Sequence, residues 1–263
     1  MLRVSFIQSE LVWENPEANR RYFGEKMETL AGQTDLILLP EMFTTGFSMK
    51  PDGKAESFPG PTLDWLLERA EKTKACICGS VMTEEKGKFY NRLLFAKPDG
   101  TYQVYNKRHL FRMAGEDLAY TAGEERVVVE WKGWKILPLV CYDLRFPVWS
   151  RNGFFDREEK GLVYDLLVYV ANWPERRSLA WKTLLPARAV ENLAYVAALN
   201  RIGMDDLGLS YSGDSGIYDF LGQKLSNTLA HQEAVKTVQL DKAALEEFRR
   251  QFPAWMDADG FKL

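Results

Sequence analysis

This chain of 263 residues has very few histidines and a small net charge. Its only two histidines, His109 and His231, are too few for a histidine-rich metal centre. The histidine of any Ser-His-Asp triad would have to be one of these two. The 34 basic and 37 acidic side chains give a formal net charge of −3. A balance this close to neutral gives no support for binding to nucleic acid or to another polyanion.

Cysteine is also rare, and long apolar runs are missing. Cys76, Cys78 and Cys141 are odd in number and form no CxxC pair, which argues against a disulfide framework and against a zinc ribbon. No apolar run approaches the roughly 20 residues that span a bilayer. The first residues, MLRVSFIQSE, are too polar for a signal peptide. We therefore expect a protein of a reducing, cytoplasmic compartment with no membrane partner.

Strand and helix patterns alternate along the whole chain, without a linker or a repeat. Helices are predicted from Asn15-Pro16 to about Gly32, from Pro61 onward, from about Arg176 to Leu193, and at Lys242–Gln251. Strands are predicted at Leu2–Gln8, Asp35–Leu39, Ala75–Thr83, Leu93–Ala96, Tyr102–Tyr105, Arg126–Trp131, Trp134–Val140, Val163–Ala171, Ala194–Asn200 and Ala234–Leu240. So many strands indicate a single α/β domain over residues 1–263, built on two sheets that are faced by helices.

The segment Phe252–Leu263 is predicted to be a C-terminal tail. It carries the apolar side chains of Phe252, Trp255, Met256 and Phe261 beside acidic residues. Such a tail packs either on its own domain or on a partner subunit, and the sequence favours neither.

Glu41 directly follows the apolar run LILLP, so it is expected at the edge of the core. Loops after strands are where α/β sheets usually place their sites. Partial burial there raises the pKa of a carboxyl group and suits it to work as a general base. The alternative is a solvated glutamate in a loop.

Cys141 follows the predicted strand Trp134–Val140 at a sharp turn, and a helix is predicted to begin near Pro147. Backbone N–H groups and a helix dipole at such a turn favour the thiolate. The N–H of Tyr142 then binds a developing oxyanion. The alternative is an inert buried thiol. Cys76 and Cys78, two apart in one strand, point to one face and are expected in the core.

Lys107 follows the predicted strand Tyr102–Tyr105, with His109 two residues further on. A lysine near a cysteine lowers the pKa of the thiol and stabilises negative charge on a substrate oxygen. His109 is the rival partner for Cys141, as in Cys-His hydrolases. The alternative for Lys107 is a charged side chain on the surface. The physical chemistry of the sequence does not choose between Lys107 and His109.

Three ordered motifs resemble the nitrilase, or carbon–nitrogen hydrolase, superfamily. Glu41, Lys107 and Cys141, in LPEMFTTGF, YNKRHLF and LVCYDLRFP, resemble its Glu-Lys-Cys triad, with separations of 66 and 34 residues. The resemblance runs from VSFIQ near the start to the aromatic tail. YDLRFP and ANWP resemble most the ω-amidase branch, which hydrolyses the terminal amide of 2-oxoglutaramate and related α-keto acids.

This resemblance implies a four-layer α-β-β-α sandwich of two stacked mixed sheets. It also implies a homodimer formed through helices beside the site, a small-molecule amide as substrate, and no metal or organic cofactor. The second glutamate of the family corresponds to Glu116 in MAGEDLAYTAG, although a shift of one residue selects Asp117. The alternative for Glu116 is a loop charge.

The resemblance further implies a cysteine thioester mechanism with Cys141 as nucleophile, Glu41 as base, and Lys107 and Tyr142 at the oxyanion. Arg145 is the candidate for binding a substrate carboxylate, unless it forms a structural ion pair with Asp143.

Phe43 and Trp173 are candidate walls of the pocket, although aromatic residues are more often in the core. Three other functions are compatible with the sequence. They are another carbon–nitrogen hydrolase such as a carbamoylase or a nitrilase, a non-catalytic binding protein on the same fold, and a Cys-His hydrolase that uses His109.

Overall fold

The computed structural model describes residues 1–153 and 161–259. The α-helices are α1 (Pro16–Glu28), α2 (Pro61–Thr73), α3 (Glu116–Ala119), α4 (Pro147–Ser150), α5 (Ser178–Asn192) and α6 (Lys242–Gln251). The strands are β1 (Leu2–Gln8), β2 (Leu36–Leu38), β3 (Glu56–Ser57), β4 (Cys76–Glu85), β5 (Lys88–Ala96), β6 (Tyr102–Asn106), β7 (Val129–Trp131), β8 (Trp134–Val140), β9 (Leu166–Ala171), β10 (Tyr195–Asn200), β11 (Ile202–Met204), β12 (Ser210–Ser212), β13 (Gly216–Tyr218) and β14 (Ala234–Leu240).

Two mixed sheets make up the centre of the fold. The first has the order β14-β1-β2-β4-β5-β6, with β3 added beside β4. The second has the order β13-β10-β9-β8-β7. The parallel strands β8, β9 and β10 are almost wholly buried, as expected for parallel strands that are covered on both faces.

The two faces of the first sheet contribute to different parts of the core, because successive side chains of a strand point in opposite directions. Cys76 and Cys78 of β4 belong to the large apolar cluster that joins this sheet to the second sheet. Ile77, between them, belongs to the cluster that packs against α1 and α2. Side chains of α5 and α6 join the large cluster from the other side. The predicted four-layer α-β-β-α sandwich is therefore confirmed.

Most element boundaries agree with those predicted from the sequence, and a few differ by several residues. Helix α6 begins as predicted, because the Asp241 side chain accepts hydrogen bonds from the N–H groups of Ala243 and Ala244. Helix α1 ends at Glu28 rather than near Gly32, since Thr29 already lies at its C-cap. Strand β9 begins at Leu166, three residues later than predicted.

The C-terminal segment follows α6. Phe252 and Met256 are exposed, and the ring of Phe252 lies 6.1 Å from that of Phe248 in α6. Phe261, which the sequence also placed in the tail, lies outside the described residues. Among the helices that the structure describes, none has the length and apolar character needed to cross a membrane.

Candidate active site

Four side chains lie just beyond the carboxyl ends of strands from both sheets. Glu41 and Lys107 follow β2 and β6 of the first sheet, and Cys141 and Asn172 follow β8 and β9 of the second. All four are buried. The N–H of Asn172 donates to Oε2 of Glu41 at 2.8 Å and so connects the two sheets at this end of the sandwich.

Lys107 lies between two buried carboxylates. Its Nζ donates to Oε1 of Glu41 at 2.8 Å and to Oε2 of Glu116 at 2.8 Å. The Asn91 side-chain amide of β5 donates to the same two carboxylates at 2.8 and 3.0 Å. Glu116 also accepts from the N–H of Phe111 at 2.6 Å. The ammonium group therefore has a fixed position and a fixed orientation.

The charges in this cluster depend on one another. Burial opposes a charge on Lys107, but the carboxylates of Glu116 and Glu41 outweigh it and raise the pKa of the lysine. Burial also raises the pKa of Glu116, because the favourable charge of Lys107 offsets only part of it. Lys107 therefore stays positively charged at neutral pH and can stabilise negative charge on a bound oxygen.

Asp117, the alternative to Glu116, faces the other way. It forms an ion pair with Arg112, whose side chain is 84% exposed, at 3.0 Å. The structure thus brings Glu116, and not Asp117, into the cluster.

Cys141 is held in a left-handed backbone conformation, with φ at +45°. Such a conformation is costly for a residue other than glycine and persists only when its surroundings fix it. Asp143 provides that support. Its Oδ2 accepts from the N–H of Val140 at 3.0 Å and the Tyr105 hydroxyl at 2.8 Å. Its Oδ1 accepts from the N–H of His109 at 3.0 Å.

The expectation that the turn favours a thiolate is wrong for this structure. Burial, followed by the negative charge of Glu41, raises the pKa of the Cys141 thiol well above its usual range, and Lys107 offsets this only in part. The segment Cys141–Arg145 is a short 3₁₀ turn rather than the start of a long α-helix, so little dipole acts on the sulfur. The thiol is therefore protonated at neutral pH and requires a base.

The sulfur of Cys141 lies near the carbonyl oxygen of Asn172 and near the N–H groups at the start of the 3₁₀ turn Cys141–Arg145. Sγ of Cys141 lies 3.8 Å from the carbonyl oxygen of Asn172, to which it donates. Tyr142 is the second residue of the 3₁₀ turn, and the first N–H groups of a helical turn have no partner within it. The N–H of Tyr142 is thus available to a developing oxyanion.

His109 does not lie against the nucleophile. Its Nδ1 is 2.8 Å from Oδ1 of Asp143, and its ring stacks on Phe146 with the centroids 3.7 Å apart. Lys107, rather than His109, shares the cluster with the carboxylates. His109 therefore supports the turn that carries Cys141.

A cavity of about 250 Å³ opens over Cys141 and Lys107. Trp173 and Arg145, which the sequence predicts as substrate contacts, line it. Its remaining lining residues are Phe47, Met49, Phe111, Met113, Ala114, Tyr142, Asn172, Pro174, Arg176, Arg177, Asp205, Leu207, Leu209 and Tyr211.

Phe43 is not part of this cavity, so its prediction as a pocket wall is wrong. It is fully buried, and its ring packs edge-on against Phe23 of α1 and near Trp65 of α2, with the centroids 5.7 and 6.0 Å away. The N–H of Phe43 donates to the carbonyl oxygen of Ser80 in β4, and its side chain belongs to the apolar cluster that packs against α1 and α2.

Arg145 does not form the alternative ion pair with Asp143, since His109, Tyr105 and Val140 already donate to that carboxylate. The Arg145 guanidinium lies 4.9 Å from the ring of Trp173. Among residues 1–153 and 161–259, no carboxylate forms an ion pair with it. Its charge is thus available to a molecule in the cavity.

Two residues that donate to Glu41, Asn91 and Asn172, were not predicted from the sequence. Asn91 lies in the middle of β5, where nothing in the sequence distinguishes it from any other strand residue. Asn172 could have been found, because it follows a buried strand just as Glu41 and Cys141 do.

The chain matches a family model and is similar to several known proteins. The carbon–nitrogen hydrolase family model matches residues 3–250. The omega-amidase YafV of Escherichia coli K12 is 48% identical over all of this chain and 98% of its own length. A 2-oxoglutaramate amidase of Bacillus subtilis is 31% identical over 97% of this chain and 96% of its own length.

Among solved structures, a carbon–nitrogen hydrolase superfamily protein from Xanthomonas campestris has an arsenic adduct in its active site. It is 52% identical to this chain, with a TM-score of 0.96, and the match covers all of this chain and 98% of that one.

Proposed function

The chain belongs to the carbon–nitrogen hydrolase family, and we propose that it is an ω-amidase acting through a cysteine thioester. Its substrates are terminal amides of α-keto acids, such as 2-oxoglutaramate, and its products are the keto diacid and ammonia. The observation that carries the proposal is the cluster of Glu41, Lys107 and Cys141 at the base of a cavity lined by arginines. The similarity to the omega-amidase and 2-oxoglutaramate amidase relatives supports the choice of substrate.

The first half of the reaction forms the thioester. Glu41 accepts the thiol proton while the sulfur of Cys141 attacks the amide carbon, so the carbonyl π electrons move to oxygen. The Lys107 ammonium and the N–H of Tyr142 stabilise that oxyanion. When the oxyanion reforms the carbonyl, the C–N bond breaks, and Glu41 passes its proton to the departing nitrogen to release ammonia.

The second half hydrolyses the thioester. Glu41 takes a proton from water, which attacks the thioester carbon, and the same oxyanion contacts are used again. The intermediate then expels the sulfur, and the proton on Glu41 returns to it. The carboxylic acid product leaves, and Cys141 is again a thiol.

Glu116 acts on the reaction through Lys107. Its two oxygens accept from Nζ of Lys107 at 3.0 and 2.8 Å, and Asn91 ties it to Glu41. It keeps the ammonium charged and correctly placed, and it positions the amide group of the substrate. Arg145 binds the substrate carboxylate, with Trp173 as the wall behind it.

The test is ammonia release from 2-oxoglutaramate, compared with glutamine, simple aliphatic amides, nitriles and carbamoyl compounds. We expect kcat/KM for 2-oxoglutaramate to exceed the others. The C141A variant should lose at least 10³-fold, and near wild-type activity in that variant would sink the mechanism. A preference for a nitrile or a carbamoyl substrate would move the protein to another branch of the family.

We further propose that the protein is a cytoplasmic homodimer. Cys76, Cys78 and Cys141 form no disulfide with one another, and this supports a reducing compartment. Helix α5, which follows the site, exposes Leu179 and Val190 at 79% and 50% of their surfaces. Light scattering after gel filtration should give twice the mass of one chain, and an L179E substitution should shift it toward the monomer.

A further inference from the structure

Arg177 is a cavity residue whose hydrogen-bonding capacity is largely unused. It belongs to the 3₁₀ turn Glu175–Arg177 before α5. Its Nη2 donates to the Met113 sulfur at 3.7 Å, and a thioether is a weak acceptor. Its Nη1 is buried and has no acceptor among the described residues. A buried donor on a cation is costly when it has no partner, which points to an acceptor that enters the cavity.

The charge around Arg177 is also uncompensated. Arg145, Arg176 and Arg177 line one cavity, and none of them forms an ion pair with a carboxylate in the described part of the chain. Burial, and then the positive charges of Arg176 and Arg145, lower the pKa of Arg177. Repulsion of this kind between arginines is relieved when an anion binds among them.

Asp205 is the acidic side chain in the lining, but it does not supply that anion. Its Oδ1 accepts from the N–H groups of Leu207 and Leu209, both at 2.9 Å. Its Oδ2 accepts from the Tyr211 hydroxyl at 2.8 Å. Both oxygens are therefore used to hold the loop around it.

Arg177 is connected to both sides of the site. Its carbonyl oxygen accepts from Nε1 of Trp173 at 2.8 Å, and Arg145 packs on that indole. Its guanidinium lies 5.1 Å from the ring of Phe111, whose N–H donates to Glu116. Arg145 and Arg177 thus both contact Trp173, Arg145 through its guanidinium and Arg177 through its backbone, and both line the cavity that contains Cys141.

We propose that Arg177 is a second carboxylate-binding residue, which acts with Arg145 to select amides that carry a carboxylate at the far end. The choice of substrate in this inference rests on the proposed amidase function, but binding of the carboxylate to Arg177 can be measured without turnover. Two guanidinium groups bind a carboxylate through several charge-assisted hydrogen bonds, and a neutral amide of the same length makes none of them.

The kinetic test compares 2-oxoglutaramate with pentanamide, a neutral amide with the same number of carbons. The R177M variant should lower the ratio of their kcat/KM values by about 10- to 100-fold, mainly through KM for the anionic substrate. R177K should recover part of this ratio, because it keeps the charge but not the planar fork. The control R21M removes the same charge from an exposed residue of α1 that does not line the cavity, and it should change the ratio less than about threefold.

The binding test is independent of catalysis. 2-Oxoglutarate should protect Cys141 of the wild type from alkylation by iodoacetamide, and half-protection in R177M should need at least tenfold more of it. Equal losses for both substrates with unchanged protection would reduce Arg177 to a structural role and overturn the proposal. Equal effects of R21M and R177M would overturn it in favour of long-range attraction. A wild type that does not hydrolyse 2-oxoglutaramate would refute the proposed function, while the protection assay would still decide the role of Arg177.

Discussion

The E41Q substitution separates the base from the other members of the cluster, because it removes a charge and hardly changes the shape. Glu41 accepts from Lys107 and Asn91 on one oxygen and from the N–H of Asn172 on the other. A glutamine has one acceptor oxygen, and an NH₂ group replaces the other. The donors that face the NH₂ group therefore lose their acceptor. We expect a loss of about 1–3 kcal/mol in the free energy of unfolding, which leaves the protein folded.

The effect on activity should be far larger. The pKa of the Cys141 thiol is raised well above its usual range, so the sulfur carries its proton at neutral pH and cannot attack without a base. Glu41 also delivers the proton to ammonia. Removal of a general acid–base normally costs 10²- to 10⁴-fold, and Glu41 serves in both half-reactions. We therefore expect kcat to fall by about 10³- to 10⁴-fold, or about 4–5.5 kcal/mol in the activation barrier.

The same substitution should make the thiol more acidic. The negative charge of Glu41 is the second-largest cause of the raised pKa of Cys141, after burial, and Lys107 remains to favour the thiolate. The pH dependence of alkylation by iodoacetamide should therefore move to lower pH in E41Q, while ammonia release collapses. A variant that is both easier to alkylate and inactive has lost its base rather than its fold.

Two results would refute this reasoning. If E41Q keeps more than a tenth of wild-type kcat, Glu41 is not the base. If activity is lost while the alkylation profile stays in place or moves to higher pH, the carboxylate does not face the sulfur. Circular dichroism and thermal melting of the same preparations provide the control for folding.

The remaining predictions concern three other carboxylates. E116Q should lower kcat for 2-oxoglutaramate by about 10²-fold, because Glu116 contacts Lys107. The adjacent matched control D117N should lower kcat by less than about twofold, because Asp117 pairs with Arg112 instead. Similar effects of both substitutions would contradict this. D143N should lower the free energy of unfolding by about 2–4 kcal/mol in urea titrations and reduce activity, because four donors converge on that buried carboxylate; an unchanged urea midpoint would count against it. Burial opposes the charge of Asp35, but Arg3 and Lys132 lower its pKa overall, so its stabilisation is present above about pH 4 and is lost as the pH falls. D35N should therefore be less stable than wild type at pH 7, and the difference should shrink toward pH 2; a constant difference would show that another group is responsible.

The positions of Glu41, Lys107 and Cys141 could be predicted because Lys107 and Cys141 directly follow a strand and Glu41 lies three residues after one. The end of a strand is visible in the sequence, and strands that run in parallel present their carboxyl ends at one edge. Which reactive side chains then meet was not fixed by the pattern. Lys107 and His109 are two residues apart after the same strand, and only the resemblance to the family, followed by the contacts of Lys107 with Glu41 and Glu116, distinguishes them.

The failures share a physical cause, which is that they depend on packing between distant segments. Phe43 lies two residues beyond Glu41, but its ring packs against Phe23 of α1 and Trp65 of α2 rather than in the cavity. The thiolate expectation for Cys141 rested on the turn and on a nearby lysine, whereas burial and the charge of Glu41 together outweigh Lys107 and raise the pKa of the thiol. Neither the strength of burial nor the direction of a loop side chain can be read from local sequence.

The raised pKa of Cys141 and the cationic cavity together explain how the site can be both reactive and selective. A thiol that is protonated at rest is a poor target for adventitious electrophiles, because the thiolate is the nucleophile. Glu41 and Lys107 form an ion pair without the substrate, so the charges needed for proton transfer and oxyanion binding are in place before the amide arrives. The proposed contacts of Arg145 and Arg177 with a substrate carboxylate would then determine which amides bind in a productive orientation. The chemical step and the choice of substrate would then depend on separate groups of residues. Substitutions of the arginines should change the selectivity between substrates, and substitutions of Glu41 or Lys107 should change kcat.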